Sequence, residues 1–107
     1  DYTVSIEAMN EQAESNFSIS AFPNPFVEEV SFNIACENEA LIDINIYDLS
    51  GQNIKKVVSK KFPSGNHTIK WAGMNDAYRP IPNGIYIYQV RSGNKITTGK
   101  LVYVGGE

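Results

Sequence analysis

From Phe17 onward the apolar positions recur with a period of two. Val30, Phe32 and Ile34 interleave with Ser31 and Asn33, and Ile42, Ile44 and Ile46 with Asp43 and Asn45. Such alternation describes strands that bury one face and wet the other. It predicts strands over Phe17–Ala21, Glu29–Ala35, Leu41–Asp48, Asn53–Lys61, Asn66–Trp71, Gly84–Ser92 and Lys95–Val104. Between them lie Pro23-Asn24-Pro25, Ser50-Gly51, Ser64-Gly65, Pro82-Asn83-Gly84 and Ser92-Gly93-Asn94. Proline holds φ near about -65° and glycine reaches positive φ, so these are turns. No segment carries a helical period.

Seven short, evenly spaced strands predict an all-β fold, a seven-stranded immunoglobulin-like antiparallel β-sandwich. Gly84-Ile85-Tyr86-Ile87-Tyr88-Gln89-Val90 is apolar on both faces for most of its length, which suits a central strand whose tyrosine hydroxyls reach the rim. Lys55-Lys56-Val57-Val58-Ser59-Lys60-Lys61 has lysines on both faces at each end. Lysines of this kind discourage sheet-to-sheet association, so the segment reads as an edge strand. A basic stripe for an anionic partner is the competing reading.

Residues 1–16 are different. Tyr2 to Ile6 has the makings of a short strand, but from Glu7 the segment is polar without a sustained apolar period. An acidic linker, or the end of a preceding domain, over 1–16 and one domain over 17–107 are the expected division. The 107 residues leave room for one core. Residues 1–50 hold ten acids and no Lys or Arg, and residues 51–107 hold nine bases and two acids, which sum to -3. Four of the early acids (Asp1, Glu7, Glu11, Glu14) belong to the linker, so the domain alone is near neutral. That balance excludes the uniformly basic profile of a nucleic-acid binder. No apolar run approaches the ~18 residues of a membrane-spanning helix. Cys36, the one cysteine, excludes an internal disulfide or cysteine-based zinc cluster. The start at Asp1 without an initiator Met reads as a processed product or an excised piece.

Candidate chemistry is thin. His67, the one histidine, with Asp48 and Ser50 or Ser64 would be a triad on paper, but no nucleophile-elbow motif accompanies them. Packing at the sheet rim is the simpler role for His67. Cys36 precedes Glu37 and Glu39, whose charges disfavour a thiolate, so it reads as structural. Asn75-Asp76, Asp43 and Asp48 carry oxygen ligands but not the spacing of a calcium loop. Trp71, Tyr78, Tyr86 and Tyr88 are open to two readings, a stacking platform for sugars or ordinary sandwich packing. No cofactor is implied.

Five motifs in order carry a resemblance. They are Phe22-Pro23-Asn24-Pro25-Phe26, Ile44 to Gln52 (INIYDLSGQ), Gly65 to Trp71 (GNHTIKW), Ile81 to Tyr88 (IPNGIYIY), and Thr98-Gly99-Lys100-Leu101-Val102. Together, over Phe17 to Val104, the chain resembles the type A C-terminal sorting domain of the type IX secretion system. It is also similar to the immunoglobulin-like domain of flagellar hook-capping proteins. The motif residues expected to matter are Pro23, Asn24, Pro25, Tyr47, Asp48, Gly51, Gly65, Trp71, Pro82, Gly84, Tyr86, Gly99, Lys100, Leu101 and Val102. The prolines around Asn24 make a rigid corner, and Gly51 is the expected left-handed turn residue. Ala72 and Tyr78 depart from the family's usual Asp and Gly, so the loop between them is expected to be reshaped. Gly105-Gly106-Glu107 extends beyond the usual end.

The resemblance implies a non-enzymatic export signal on the cargo that precedes it. The expected partners are the type IX outer-membrane translocon and a cell-surface sortase, which usually cuts in the linker upstream. The expected route is periplasm, then outer-membrane surface or secretion. By analogy the signal concentrates in Gly84 to Val104, with Gly99 and Lys100 in its terminal motif. A surface-binding module for glycan or protein, or a structural spacer, is the alternative. Exposed sheet edges leave a weak dimer open.

Overall fold

The computed structural model describes residues 17–106, and the short strand and acidic linker expected over 1–16 lie outside the described residues. Seven strands form: β1 Phe17–Phe22, β2 Val30–Cys36, β3 Ala40–Tyr47, β4 Asn53–Phe62, β5 Gly65–Trp71, β6 Gly84–Ser92 and β7 Lys95–Tyr103. Each lies within a residue or so of its expected span. There is no helix among the described residues. Three strands make one sheet in the order β1-β2-β5, and four make the other in the order β4-β3-β6-β7. Every neighbouring pair is antiparallel. The architecture is the immunoglobulin-like β-sandwich that the alternation predicts.

The core follows the period of two. Phe32 and Ile34 from one sheet meet Ile42, Ile44, Ile46, Val90 and Leu101 from the other, all nearly or wholly buried. Each such side chain contributes roughly 1.5–3 kcal/mol when taken out of water. Cross-strand register sets Ile44 beside Val90 and Tyr86 beside Leu101. Phe26 comes from the connection between β1 and β2, yet it is fully buried. Its ring lies 5.7 Å from that of Trp71 and 5.0 Å from that of Tyr103, closing one end of the sandwich.

β6 is central, flanked by β3 and β7, and the lysine-bearing β4 is the edge of its sheet. Both placements agree with the sequence. Two register shifts interrupt the pairing of β4 with β3, the irregularity common on edge strands.

Candidate functional site

Strand register sorts the motifs by position. β5 runs from Gly65, opposite Cys36, to Trp71, opposite Val30, so these two motif residues sit at opposite ends of the sandwich. Phe22, Tyr47, Trp71, Gly84 and Tyr103 all lie at the Trp71 end, where Phe22 faces Ser31 and Gly84 faces Tyr103. Thus Pro23–Phe26, Tyr47–Gly51, Trp71, Pro82–Tyr86 and Lys100–Val102 are gathered at one end. Gly65 is left at the other, where β1 begins.

The gathering has a specific mechanism. Asn24 Nδ2 donates to the Lys100 carbonyl at 2.8 Å, and the Val102 N–H donates to Asn24 Oδ1 at 2.9 Å. Two residues on, Phe26 N–H donates to the Val102 carbonyl at 2.9 Å, and Val104 N–H donates to the Phe26 carbonyl at 3.0 Å. The amide of Asn24 and the backbone of Phe26 thus pair as a short parallel segment along the outer edge of β7. Both flanking peptide bonds, Phe22-Pro23 and Asn24-Pro25, are cis, and the prolines have no N–H to satisfy. The sequence showed a rigid corner here. Its partner on β7, 76 to 78 residues away, was invisible to it.

The opposite edge of the same sheet is covered in the same way. Asp76 N–H donates to the Ile54 carbonyl at 3.2 Å, Lys56 N–H donates to Asp76 Oδ1 at 3.2 Å, and Lys55 Nζ lies 3.7 Å from that oxygen. Asn75 shapes this loop, its Oδ1 accepting from Ala77 and Arg79. Tyr78 sits at φ 60°, the left-handed conformation in which glycine is the usual residue, with Lys55 Nζ 5.0 Å from its ring centroid. Among the described residues Tyr78 is the one non-glycine at positive φ. Nothing in the sequence linked Asp76 to β4.

Asp48 closes the turn after β3. Its Oδ1 accepts from Ser50 N–H at 2.9 Å, Ser50 Oγ at 2.6 Å and Gln52 N–H at 3.0 Å, while Gly51 takes φ 91°. The Ser50 hydroxyl first, then the Gln52 amide, stabilise the carboxylate and hold its pKa below the ordinary value. Pro82 accepts the Tyr86 hydroxyl at 2.6 Å, and Asn83 exchanges two hydrogen bonds with Gly106. Burial, with a smaller contribution from Asp48, pushes the Tyr86 hydroxyl pKa up. Gly99 faces Tyr88 across β6 and β7, and the tyrosine ring lies where a Cβ would project. Leu101 is fully buried, whereas Lys100 is exposed.

The other candidates disperse. His67 Nε2–H donates to the Pro63 carbonyl at 2.7 Å and the ring meets Phe62 edge-on, far from Asp48 and Ser50 at the Trp71 end. Cys36 is buried, and burial raises its thiol pKa. Trp71 is 4% exposed, with its Nε1–H donated to the Met74 carbonyl at 2.8 Å. Tyr86 is buried too, Tyr88 packs edge-on against Phe32, and Tyr78 is 77% exposed with Lys55 over its ring. The four rings do not form a platform. Among the described residues no three of His, Cys, Asp or Glu stand close enough to share a metal ion.

The family described as "Secretion system C-terminal sorting domain" matches residues 20–104. No curated protein is a significant match to the chain. Among solved structures the chain is similar to dimeric latent PorU from Porphyromonas gingivalis, with a TM-score of 0.72 and 25% identity over 92% of this chain. It also shares the fold of PorZ, described as an essential surface component of the type IX secretion system of the same bacterium, with a TM-score of 0.55 and 17% identity over 80% of this chain. The chain spans only 10% and 11% of those two proteins. The match at 20–104 takes in six of the seven strands whole and half of β1, along with the Asn24 clamp, and on that footing the chain belongs to the secretion system C-terminal sorting domain family.

Proposed function

We propose that this domain is a non-catalytic C-terminal sorting signal that takes the protein bearing it through the type IX outer-membrane translocon to the cell surface. The family match over residues 20–104 carries the reading. The geometry supports it: residues from all five motifs meet at one end of the sandwich, where the Asn24 clamp joins the first motif to the last. Lys100 and Val102 of the terminal motif are held by Asn24 of the first, so the signal is presented as one rigid strand. A surface sortase then cuts upstream of the domain, within the polar, acid-rich residues before Phe17.

The test is a periplasmic reporter fused ahead of the whole 107-residue chain. Surface delivery is expected in a type IX-competent strain and not in a translocon mutant. Equal delivery in both would refute the reading. Terminal sequencing of the delivered reporter locates the cut, which is expected within residues 1–16.

A further inference from the structure

The two outer faces of the sandwich differ in chemistry. That of the three-stranded sheet is largely neutral: Ser20, Asn33 and Thr68 stand in one cross-strand row, and Lys70 is balanced by Glu29 at 3.6 Å. On the four-stranded sheet, register and burial place Lys56, Lys61, Arg91 and Lys100 outward, all exposed. The four strands carry one carboxylate, Asp43, which accepts the Ser59 hydroxyl and neighbours Arg91. The ion pairs found among the described residues use other lysines, Lys55 and Lys70.

At the Trp71 end of this face, beside Lys100, lies an apolar cluster. Tyr47 pairs with Ile87, Ile87 with Lys100, and Ile85 with Val102, so the side chains form one patch. Ile85 is 42% exposed, and Tyr47, Ile87 and Val102 are half-buried. Strand spacing and rise give the face an area of about 600 Å². That is under the ~800 Å² per partner of a standard stable interface, and so fits a brief association.

We propose that this outer face of the four-stranded sheet docks the sorting domain onto an export protein that presents an apolar patch flanked by carboxylates. The proposal rests on the sorting reading above and names the surface and the chemistry of its partner. An apolar cluster flanked by exposed cations suits a protein surface that sets carboxylates beside apolar residues. The most exposed apolar side chains of the four strands, Leu41, Ile85 and Ile96, are split between the two ends of the face and do not form one insertable wedge, which favours a protein surface over a lipid bilayer. Complementary charge speeds the encounter and suppresses wrong partners.

The test uses the reporter fused to the full chain, with Arg91→Glu and Lys100→Glu combined, against Lys70→Glu on the other face. Surface delivery is expected to fall by about tenfold or more for the pair and to stay near the parent level for Lys70→Glu, with thermal unfolding of the purified proteins unchanged. If the reversed pair fails to fold, Arg91→Gln with Lys100→Gln takes its place and is expected to lower delivery in the same direction. Unaltered delivery by a folded pair variant would overturn the docking face while leaving the sorting reading standing. Failure of the parent fusion would instead remove the sorting reading itself. Binding of the purified chain to anionic phospholipid vesicles, abolished by the same pair, would overturn the protein partner in favour of a lipid surface.

Discussion

Asn24 stands beside Val102 as a strand residue would, its Oδ1 taking the Val102 N–H at 2.9 Å while its Nδ2 reaches the Lys100 carbonyl at 2.8 Å. One side chain thereby replaces two backbone groups on a sheet edge that would otherwise stay open. It fastens the first motif to the last.

Replacing Asn24 by Ala removes both bonds and is expected to cost about 1–3 kcal/mol, taking about 0.5–1.5 kcal/mol net for each. Chemical denaturation measures the loss. Amide exchange at Val102 is expected to accelerate more than at Leu101, whose N–H faces β6. Uniform acceleration along β7 would mean that the clamp is not local.

Gly99 lies under the Tyr88 ring, and Tyr88 is held edge-on by Phe32 at a centroid separation of 5.4 Å. Gly99→Ala is expected to destabilise the domain by about 1–3 kcal/mol, because the ring must leave its seat. In a Tyr88→Leu background the same change is expected to cost markedly less. A double-mutant cycle that shows no coupling between the two positions would contradict the contact.

Trp71 fills the core beside Phe26 and spends its N–H on Met74. Trp71→Ala is therefore expected to cost about 3–5 kcal/mol, read as a fall in thermal midpoint. A glycan array probed with the parent domain is expected to show no binding that depends on Trp71.

The Asp48 carboxylate has a lower pKa folded than unfolded, because the Ser50 hydroxyl and the Gln52 amide favour its charged form. Its contribution is present above its ordinary value of 3.8 and is lost as pH falls through the lower folded value. Asp48→Asn is expected to be less stable than the parent at neutral pH, with the gap narrowing below about pH 4. Denaturation midpoints of both proteins across pH 2–7 check this. A gap that does not change with pH would remove the charge from the explanation.

The strands were legible because their cause is local. Alternation in Ile42, Ile44 and Ile46 needs only a sheet with one dry face, and Gly51 and Pro82 mark turns by their own backbone limits. The edge position of β4 was legible in its paired lysines, and the burial of Trp71 in its place on the inward parity of β5. The end-locking contacts were not. Asn24 and Val102 are 78 residues apart, and nothing in either residue type names the other. Phe26 reads as a loop residue until Trp71 and Tyr103 are brought around it. Asp76 reads as a turn former until its loop lies along β4.

Polar and apolar order along the chain determined the strands, their inward faces and the near-neutral charge of the domain. Tertiary structure decided which edges are covered and which face collects the cations. Lys56, Lys61, Arg91 and Lys100 come from three strands, and only their shared outward parity in one sheet makes them a single surface. Parity within a strand is written in the residues, but the order in which strands lie side by side is set by packing over the whole core.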